Sequence, residues 1–237
     1  MTRAIVTGGT KGIGYAIAKA VLASGGRVMI TGRNQAGVDQ AVRSLTASAS
    51  DKNSVAGTAV DVRDRHLTDA LVADTVRRFG GLDLLVNNAG IGQFAAVALM
   101  SDADWDQTIG TNLTGVFYCT RAAIPAMKQS GGGWIINIAS LAGRNYFPLG
   151  AAYCASKAGL IAFSESLMQE VRYDNIRVSV IMPGSVATEF NGETPTAGDD
   201  WKLSPDDVAE VVADLLRHPK RSLPSKIEMR PSQPRKG

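Results

Sequence analysis

Short runs of Val, Ile, Leu and Met recur along the chain without polar alternation. Between them lie longer stretches in which apolar residues return every three or four positions. The short runs read as strands at 4–7, 27–31, 55–60, 84–87, 134–138, 178–182 and, more weakly, 226–229. The periodic stretches read as helices at 13–24, 35–47, 65–79, 102–128, 153–171 and 206–217. Strands that are apolar on both faces need cover on both faces, so the pattern predicts a parallel sheet between two helix layers. Right-handed crossovers restrict this to an α/β fold, a doubly wound parallel sheet of about seven strands. Gly and Pro fall between these elements and no internal repeat is visible. Residues 1–230 therefore read as a single domain and 231–237 as a flexible basic tail. Residues 191–202 hold Gly192, Pro195, Gly198, Asp199 and Asp200 and read as a mobile loop.

Composition narrows the function classes. Of 237 residues, 45% are hydrophobic and 20% charged, which excludes a disordered or collagen-like chain. No run approaches 18 apolar residues, so no membrane span is expected. The N-terminus enters an apolar run at once with no signal-peptide pattern, which predicts a cytoplasmic protein. A net charge of +3 is too small to argue for a nucleic-acid partner. Its distribution is more informative. Residues 1–38 carry Arg3, Lys11, Lys19, Arg27 and Arg33 and no acid, while 217–237 carry seven basic residues and one acidic one. Cys119, Cys154, His66 and His218 lack metal-ligand spacing, so no metal is expected. Both cysteines read as small buried hydrophobes.

The first strand leads into Thr7-Gly8-Gly9-Thr10-Lys11-Gly12-Ile13-Gly14, and a helix follows. Glycines there let the backbone turn tightly and approach a pyrophosphate, which would sit on the free N–H groups of the helix start. A glycine cluster alone is weak evidence. Placed between a buried strand and a helix in the first βαβ unit, it predicts a dinucleotide site at Gly8, Thr10, Lys11, Gly12, Ile13 and Gly14. The second strand ends Thr31-Gly32-Arg33-Asn34, and no acidic residue precedes Asp39. NAD sites of this architecture usually place a carboxylate near this point, on the ribose 2′-OH. Gly32 leaves that place open, and Arg33, with Lys11 nearby, suits a 2′-phosphate. The reading is NADP(H) in preference to NAD(H).

Tyr153-Cys154-Ala155-Ser156-Lys157 opens a long predicted helix, and its four-residue spacing puts Tyr153 and Lys157 on one face. Ser140 follows a buried strand 13 residues earlier. With the glycine motif, Asp61-Val62, Asn87-Asn88-Ala89-Gly90, Asn112 and Pro183-Gly184-Ser185-Val186-Ala187-Thr188, the chain resembles the short-chain dehydrogenase/reductase family. The resemblance covers residues 3–230 and reaches toward the ketoacyl-carrier-protein reductase-like members. It implies a Rossmann-type fold and an NAD(P)(H)-dependent carbonyl reductase or alcohol dehydrogenase acting on a small-molecule carbonyl or alcohol.

Hydride transfer to a ketone leaves an alkoxide that needs a proton. A free phenol, with a pKa of about 10, is a poor partner near neutral pH. A cation about 5 Å away at an effective dielectric of about 20 favours phenolate by roughly 3 kcal/mol. Lys157 is the expected source of that field, Tyr153 the general acid/base, and Ser140 the donor to the substrate oxygen. The resemblance further implies that Lys157 holds the nicotinamide ribose and that Asn112 anchors a water relaying protons to Lys157. It sets Asp61 and Val62 beside the adenine, and Asn88, Ala89 and Gly90 near the adenosine ribose. Pro183, Gly184, Val186 and Thr188 fall to the nicotinamide half.

The expected substrate walls are Gln93, Phe94, Leu141, the segment 144–147 and the loop 189–201; Arg144 could attract an anionic group but reads rather as a surface charge. Small residues Ala155, Ala158, Gly159 and Ala162 on one helix, with the family resemblance, imply a homodimer or homotetramer. The family's usual Gly-rich end is replaced by Ile227-Glu228-Met229-Arg230-Pro231. The competing reading is an NADP(H)-binding redox-sensing regulatory protein with little turnover. A nucleic-acid binder using the basic ends has no recognition motif to support it.

Overall fold

The structure, a computed structural model, describes residues 1–192 and 194–234. The last three residues of the expected basic tail lie outside the described residues. Seven strands, β1 (Arg3–Val6), β2 (Arg27–Gly32), β3 (Val55–Ala59), β4 (Leu84–Asn87), β5 (Gly133–Ile138), β6 (Ile176–Pro183) and β7 (Lys226–Met229), form one all-parallel sheet. Their order is β3-β2-β1-β4-β5-β6-β7. The chain winds outward from β1 to β3, returns to lay β4 on the other side of β1, and winds outward again. That reversal opens a crevice at the carboxyl ends of β1 and β4, where ligands bind in such sheets.

Side-chain alternation explains the two layers. Ala4 and Val6, Val28 and Ile30, and Trp134, Ile136 and Ile138 enter one core, which includes Ile17 and Val21 of α1 (Gly12–Ala23), Leu45 of α2 (Gln35–Ser48) and Val212 of α7 (Pro205–Arg217). Ile5, Met29, Leu85 and Ile135 point the other way. They meet Leu71 of α3 (Arg65–Phe79), Met127 of α5 (Gly115–Gln129) and Leu167 of α6 (Ala151–Val171). Each such fully buried side chain contributes about 1.5–3 kcal/mol.

The expected helix over 102–128 runs without a break but changes pitch inside, from α4 (Asp102–Ile109) through a π-helical turn Gly110–Thr114 into α5. The packing shows why. At Gly115 an added Cβ would lie 2.7 Å from Cγ2 of Val62, so the backbone there abuts the loop after β3. The wide turn also carries Asn112 inward, where it is fully buried. Such turns frequently mark functional sites.

Buried amides tie the sheet to α5 and α6. Asn87 and Asn137 sit in register at the ends of β4 and β5. Asn87 Nδ2 donates to Asn137 Oδ1 at 2.8 Å and to Thr120 Oγ1 at 3.2 Å, and Asn137 Nδ2 donates to Ser164 Oγ at 2.8 Å. These bonds are strong in a dry interior and fix α6 beside the crevice. The segment expected to be a loose loop is tied at its far end. Leu203 N–H donates to the Ser185 carbonyl and Ala187 N–H to the Leu203 carbonyl, at 3.0 and 2.8 Å. No helix among the described residues is long and apolar enough to cross a membrane.

Candidate active site

A cleft of about 940 Å³ runs along the carboxyl end of the sheet. One end is the glycine-rich turn. Gly8 and Gly12 take φ of 63° and 56°, left-handed values that a side chain disfavours. Gly14 has a different reason to be glycine, since a Cβ there would sit 2.4 Å from the Gly8 carbonyl oxygen and 2.5 Å from Asn88 Nδ2. Asn88 is the strut of this turn. Its Nδ2 donates to the carbonyls of Thr7 and Gly8 at 3.0 and 3.1 Å, while Thr7 Oγ1 accepts from the N–H groups of Asn88 and Ala89 at 3.0 and 3.1 Å.

The start of α1 has no side-chain cap and no acidic residue in its first turn. Its first backbone bond runs from Tyr15 N–H to the Lys11 carbonyl at 3.3 Å, so the N–H groups before it lack an intrahelical partner. By contrast α2, α3, α4 and α7 are capped by Asn34, Asp64, Ser101 and Ser204. An open positive helix end on a cleft is an anion seat.

Beside it, β2 ends at Gly32, where a Cβ would lie 2.6 Å from Thr10 Cγ2. Arg33 lines the cleft, is exposed, and has no hydrogen bond or ion pair among the described residues. The carboxylate of Asp61 is engaged by Arg63, with Nη2 to Oδ2 at 2.5 Å and Nε to Oδ1 at 3.0 Å. The hydrogen bond from Arg63 holds the Asp61 carboxyl below its usual range. Lys11 does not accompany Arg33. Its ammonium pairs with Glu189 at 2.9 Å, bridging the glycine turn and the loop after β6.

Further along the cleft, Ser140 lies two residues past β5 and caps a short turn, its Oγ accepting from Ala142 N–H at 3.1 Å. The Ser140 hydroxyl is hydrogen-bonded to the Tyr153 phenol. Lys157, one helical turn beyond Tyr153, is 5% exposed; its Nζ lies 5.8 Å from the Tyr153 ring centroid and donates to the Ile138 carbonyl at 3.0 Å. Desolvation lowers the ammonium to a pKa of about 8. Gly90 keeps the opposite wall thin, since a Cβ there would stand 3.3 Å from Asn112 Oδ1 and 3.5 Å from Lys157 Nζ.

One expectation changes here. Burial pushes the Tyr153 phenol up, against a smaller lowering by the Ser140 hydrogen bond. The net lowering expected from Lys157 is thus reversed in the free protein, because the burial that brings the two groups together also removes the water that would stabilise a phenolate. Asn112 stands behind the cleft wall rather than on it. Its Oδ1 accepts from Ile91 N–H at 2.9 Å, and its Nδ2 donates to the Ile91 carbonyl at 2.8 Å and to Ser156 Oγ at 3.0 Å. In this structure it pins the loop after β4 to α6.

Of the expected catalytic and cofactor residues, all but Gly14 and Asn112 line this one cleft, and of the expected substrate walls Gln93, Phe94, Glu189 and Phe190 line it while Leu141 and residues 144–147 do not. Val62, Ala89 and Ile13 border the glycine-turn half, and Pro183, Gly184, Val186 and Thr188 form the far wall. Thr31, Ile91, Thr111 and Lys202 also line it and were not singled out in the sequence. They sit next to motif residues or on the π turn, and side-chain type alone does not mark them. Arg144, read as a surface charge, is exposed and pairs through Nη1 with Glu228 at 2.6 Å. Cys119 and Cys154 are buried, and desolvation pushes the Cys119 thiol up to about 12.

The sheet order, the glycine turn and the Ser-Tyr-Lys grouping define a dinucleotide-binding oxidoreductase architecture. The short chain dehydrogenase family profile matches residues 2–198, and the chain belongs to that family of oxidoreductases. A 3α-hydroxysteroid dehydrogenase of Mediterraneibacter gnavus is 36% identical over 194 residues, covering 82% of this chain and 77% of that protein. A 3-oxoacyl-[acyl-carrier-protein] reductase of Chlamydia muridarum is 37% identical over 199 residues, covering 84% and 79%. Among solved structures, an alcohol dehydrogenase from the archaeon Thermococcus sibiricus, complexed with 5-hydroxy-NADP, superposes with a TM-score of 0.92. It is 27% identical and covers 100% of this chain and 99% of that one. A metagenomic short-chain oxidoreductase in complex with NADP superposes with a TM-score of 0.85 at 35% identity, covering 98% of each chain.

Proposed function

We propose that this protein is an NADP(H)-dependent reductase that interconverts a small-molecule carbonyl and its alcohol, with Tyr153 as general acid/base. The observation that carries the reading is the joining of two half-sites by one cleft: an uncapped, acid-free helix start, and a Tyr153 phenol bonded to Ser140 with the Lys157 ammonium behind it.

The donor set suits the cofactor. The glycine turn leaves backbone N–H groups for a pyrophosphate, and Gly32 lets Thr10 pack closely against the end of β2. Arg33 makes no hydrogen bond or ion pair among the described residues, while Asp61, whose carboxyl its charge helps to lower, is paired with Arg63. That balance favours a 2′-phosphate over a bare 2′-hydroxyl. Both solved relatives described above hold NADP or a derivative of it. Bound NADPH supplies the hydride.

The remaining work falls to the chain's own residues. Tyr153, kept protonated by burial, hands its phenolic proton to the oxygen of the reduced carbonyl. Ser140 donates to the same oxygen and steadies its developing charge. Lys157 stabilises the phenolate that remains, and its own proton is loosely held, so it is positioned to resupply Tyr153. Asn112 acts by holding Ile91 and Ser156, and with them the spacing between the loop after β4 and α6.

Tyr153→Phe tests this. It should lower NADPH-dependent carbonyl reduction by about a thousandfold, while NADPH binding, followed by fluorescence titration, stays within about threefold. Near-normal turnover would overturn the assignment. A homo-oligomer is part of the same reading, supported by Trp105 and Phe117, which are 43% and 41% exposed on α4 and α5. Light scattering measures the subunit number.

A further inference from the structure

We propose that the substrate half of the cleft selects neutral ketones bearing an aromatic ring, seated against Phe94 and Phe190, with Phe147 backing Phe94. This rests on the reductase reading above and names its substrate class. Two rings from separate segments meet Tyr153, and a third backs one of them from outside the cleft lining. Phe94, from the loop after β4, meets the Tyr153 ring edge-on at 5.7 Å between centroids and 76° between planes. Phe190, from the loop after β6, lies 5.8 Å from Tyr153 on a tilted approach. Phe147, from the segment between β5 and α6, lies 5.8 Å from Phe94. Each ring keeps 38–45% of its surface exposed, so apolar area remains for a ligand beside the reacting phenol.

The rings are held in place rather than loosely draped. Ala95 N–H donates to the Leu149 carbonyl at 2.9 Å, joining the Phe94 and Phe147 segments. Leu149 takes φ of 66°, a costly conformation for a branched side chain, and such backbone strain collects at functional sites. Gly150 then leaves room for Phe147, since a Cβ would lie 2.5 Å from that ring's Cε2. Val97, Leu99, Tyr146 and Leu149 extend the exposed apolar rim.

Charge favours a neutral ligand. Among the described residues, the lysines that line this cleft besides Lys157 are paired within the chain, Lys202 with Asp199 at 2.7 Å and Lys11 with Glu189 at 2.9 Å. An anionic substrate would compete with Asp199 or Glu189 for these lysines. A ring stacked edge-on or offset against these phenylalanines gains what an aliphatic chain does not.

The test compares three ketones with NADPH and the purified full-length protein: benzylacetone, butanone and para-carboxylated benzylacetone. Benzylacetone should show kcat/KM at least tenfold above each of the others. Phe94→Ala and Phe190→Ala should each reduce the benzylacetone-to-butanone ratio roughly tenfold. Equal values for the two neutral ketones, a preference for the carboxylate, or a ratio unchanged in both variants would overturn the ring-selective pocket, even with NADPH consumed. If no ketone is turned over, calorimetric titration of benzylacetone into NADP⁺-loaded protein decides. Binding that weakens roughly tenfold in Phe190→Ala supports the pocket while the reductase reading fails; absence of binding overturns the pocket.

Discussion

Lys157→Met separates the catalytic worth of this lysine from its cost to the fold. In the free protein the Lys157 ammonium is buried, and desolvation alone takes it from an ordinary 10.5 to about 8. A shift of that size corresponds to about 3 kcal/mol of stability lost wherever the group is charged in both folded and unfolded chains. The sign follows from proton binding. Below pH 8 both states hold the proton and the full penalty applies. Between about 8 and 10.5 the unfolded chain binds more proton than the folded one, so stability recovers as pH rises. Met keeps the length of the side chain and removes the charge. It also removes the bond from Nζ to the Ile138 carbonyl, but Ile138 lines the cleft and water can replace that donor. The variant should therefore be about 1–3 kcal/mol more stable than the parent at pH 7, with the gain shrinking to about 1 kcal/mol or less by pH 10. Urea melts of both proteins at fixed concentration, followed by circular dichroism at pH 7, 8.5 and 10, measure it. Carbonyl reduction by the variant should fall by orders of magnitude in the same preparation. A destabilised variant at pH 7, or a difference that does not change with pH, would refute the reasoning.

Other outcomes follow from single contacts. Arg33→Ala should raise the Kd for NADPH by about 10- to 100-fold and leave NADH nearly unaffected; equal loss with both cofactors would mean that Arg33 does not meet a 2′-phosphate. Gly14→Ala should cost about 2–4 kcal/mol in a denaturant melt, since its Cβ would meet the Gly8 carbonyl at 2.4 Å, a backbone atom that cannot rotate away. Asp83 accepts from the Arg3 backbone N–H, Nε and Nη2 at 2.8, 2.7 and 2.6 Å. Burial alone would raise its carboxyl, but these bonds hold it below the usual range. That stability is present above the ordinary carboxylate pKa and is lost as pH falls through the lowered value. Asp83→Asn should therefore cost about 1–3 kcal/mol at pH 7, and the two proteins should converge in acid melts.

The architecture was readable in the chain because its signals are local. Val and Ile runs apolar on both faces require a sheet covered on both sides, and each crossover helix carries its own period. The glycine turn is equally local, since Gly8 and Gly12 answer to backbone angles that only their own positions set. Arg33 could be singled out by what surrounds it in sequence: a strand end with no carboxylate. The partners of charged side chains were not readable in this way. Lys11 meets Glu189 and Arg144 meets Glu228, pairs far apart in the chain that the strand order alone brings together. The change of pitch within the 102–128 helix depends on Val62 pressing on Gly115 from another loop, and the role of Asn112 on Ile91 and Ser156. The protonation of Tyr153 shows the limit most clearly. Spacing along a helix put a cation next to a phenol and suggested a lowered pKa. The fold buried both, and desolvation, which depends on every neighbour at once, raised the phenol against the lowering hydrogen bond from Ser140 and lowered the lysine. By itself the sequence determined the sheet, the cradle and which residues share a helix face, because backbone angles and periodicity act over a few residues. Only the tertiary structure decided pairing, burial and pKa, because these depend on groups that meet across the whole chain.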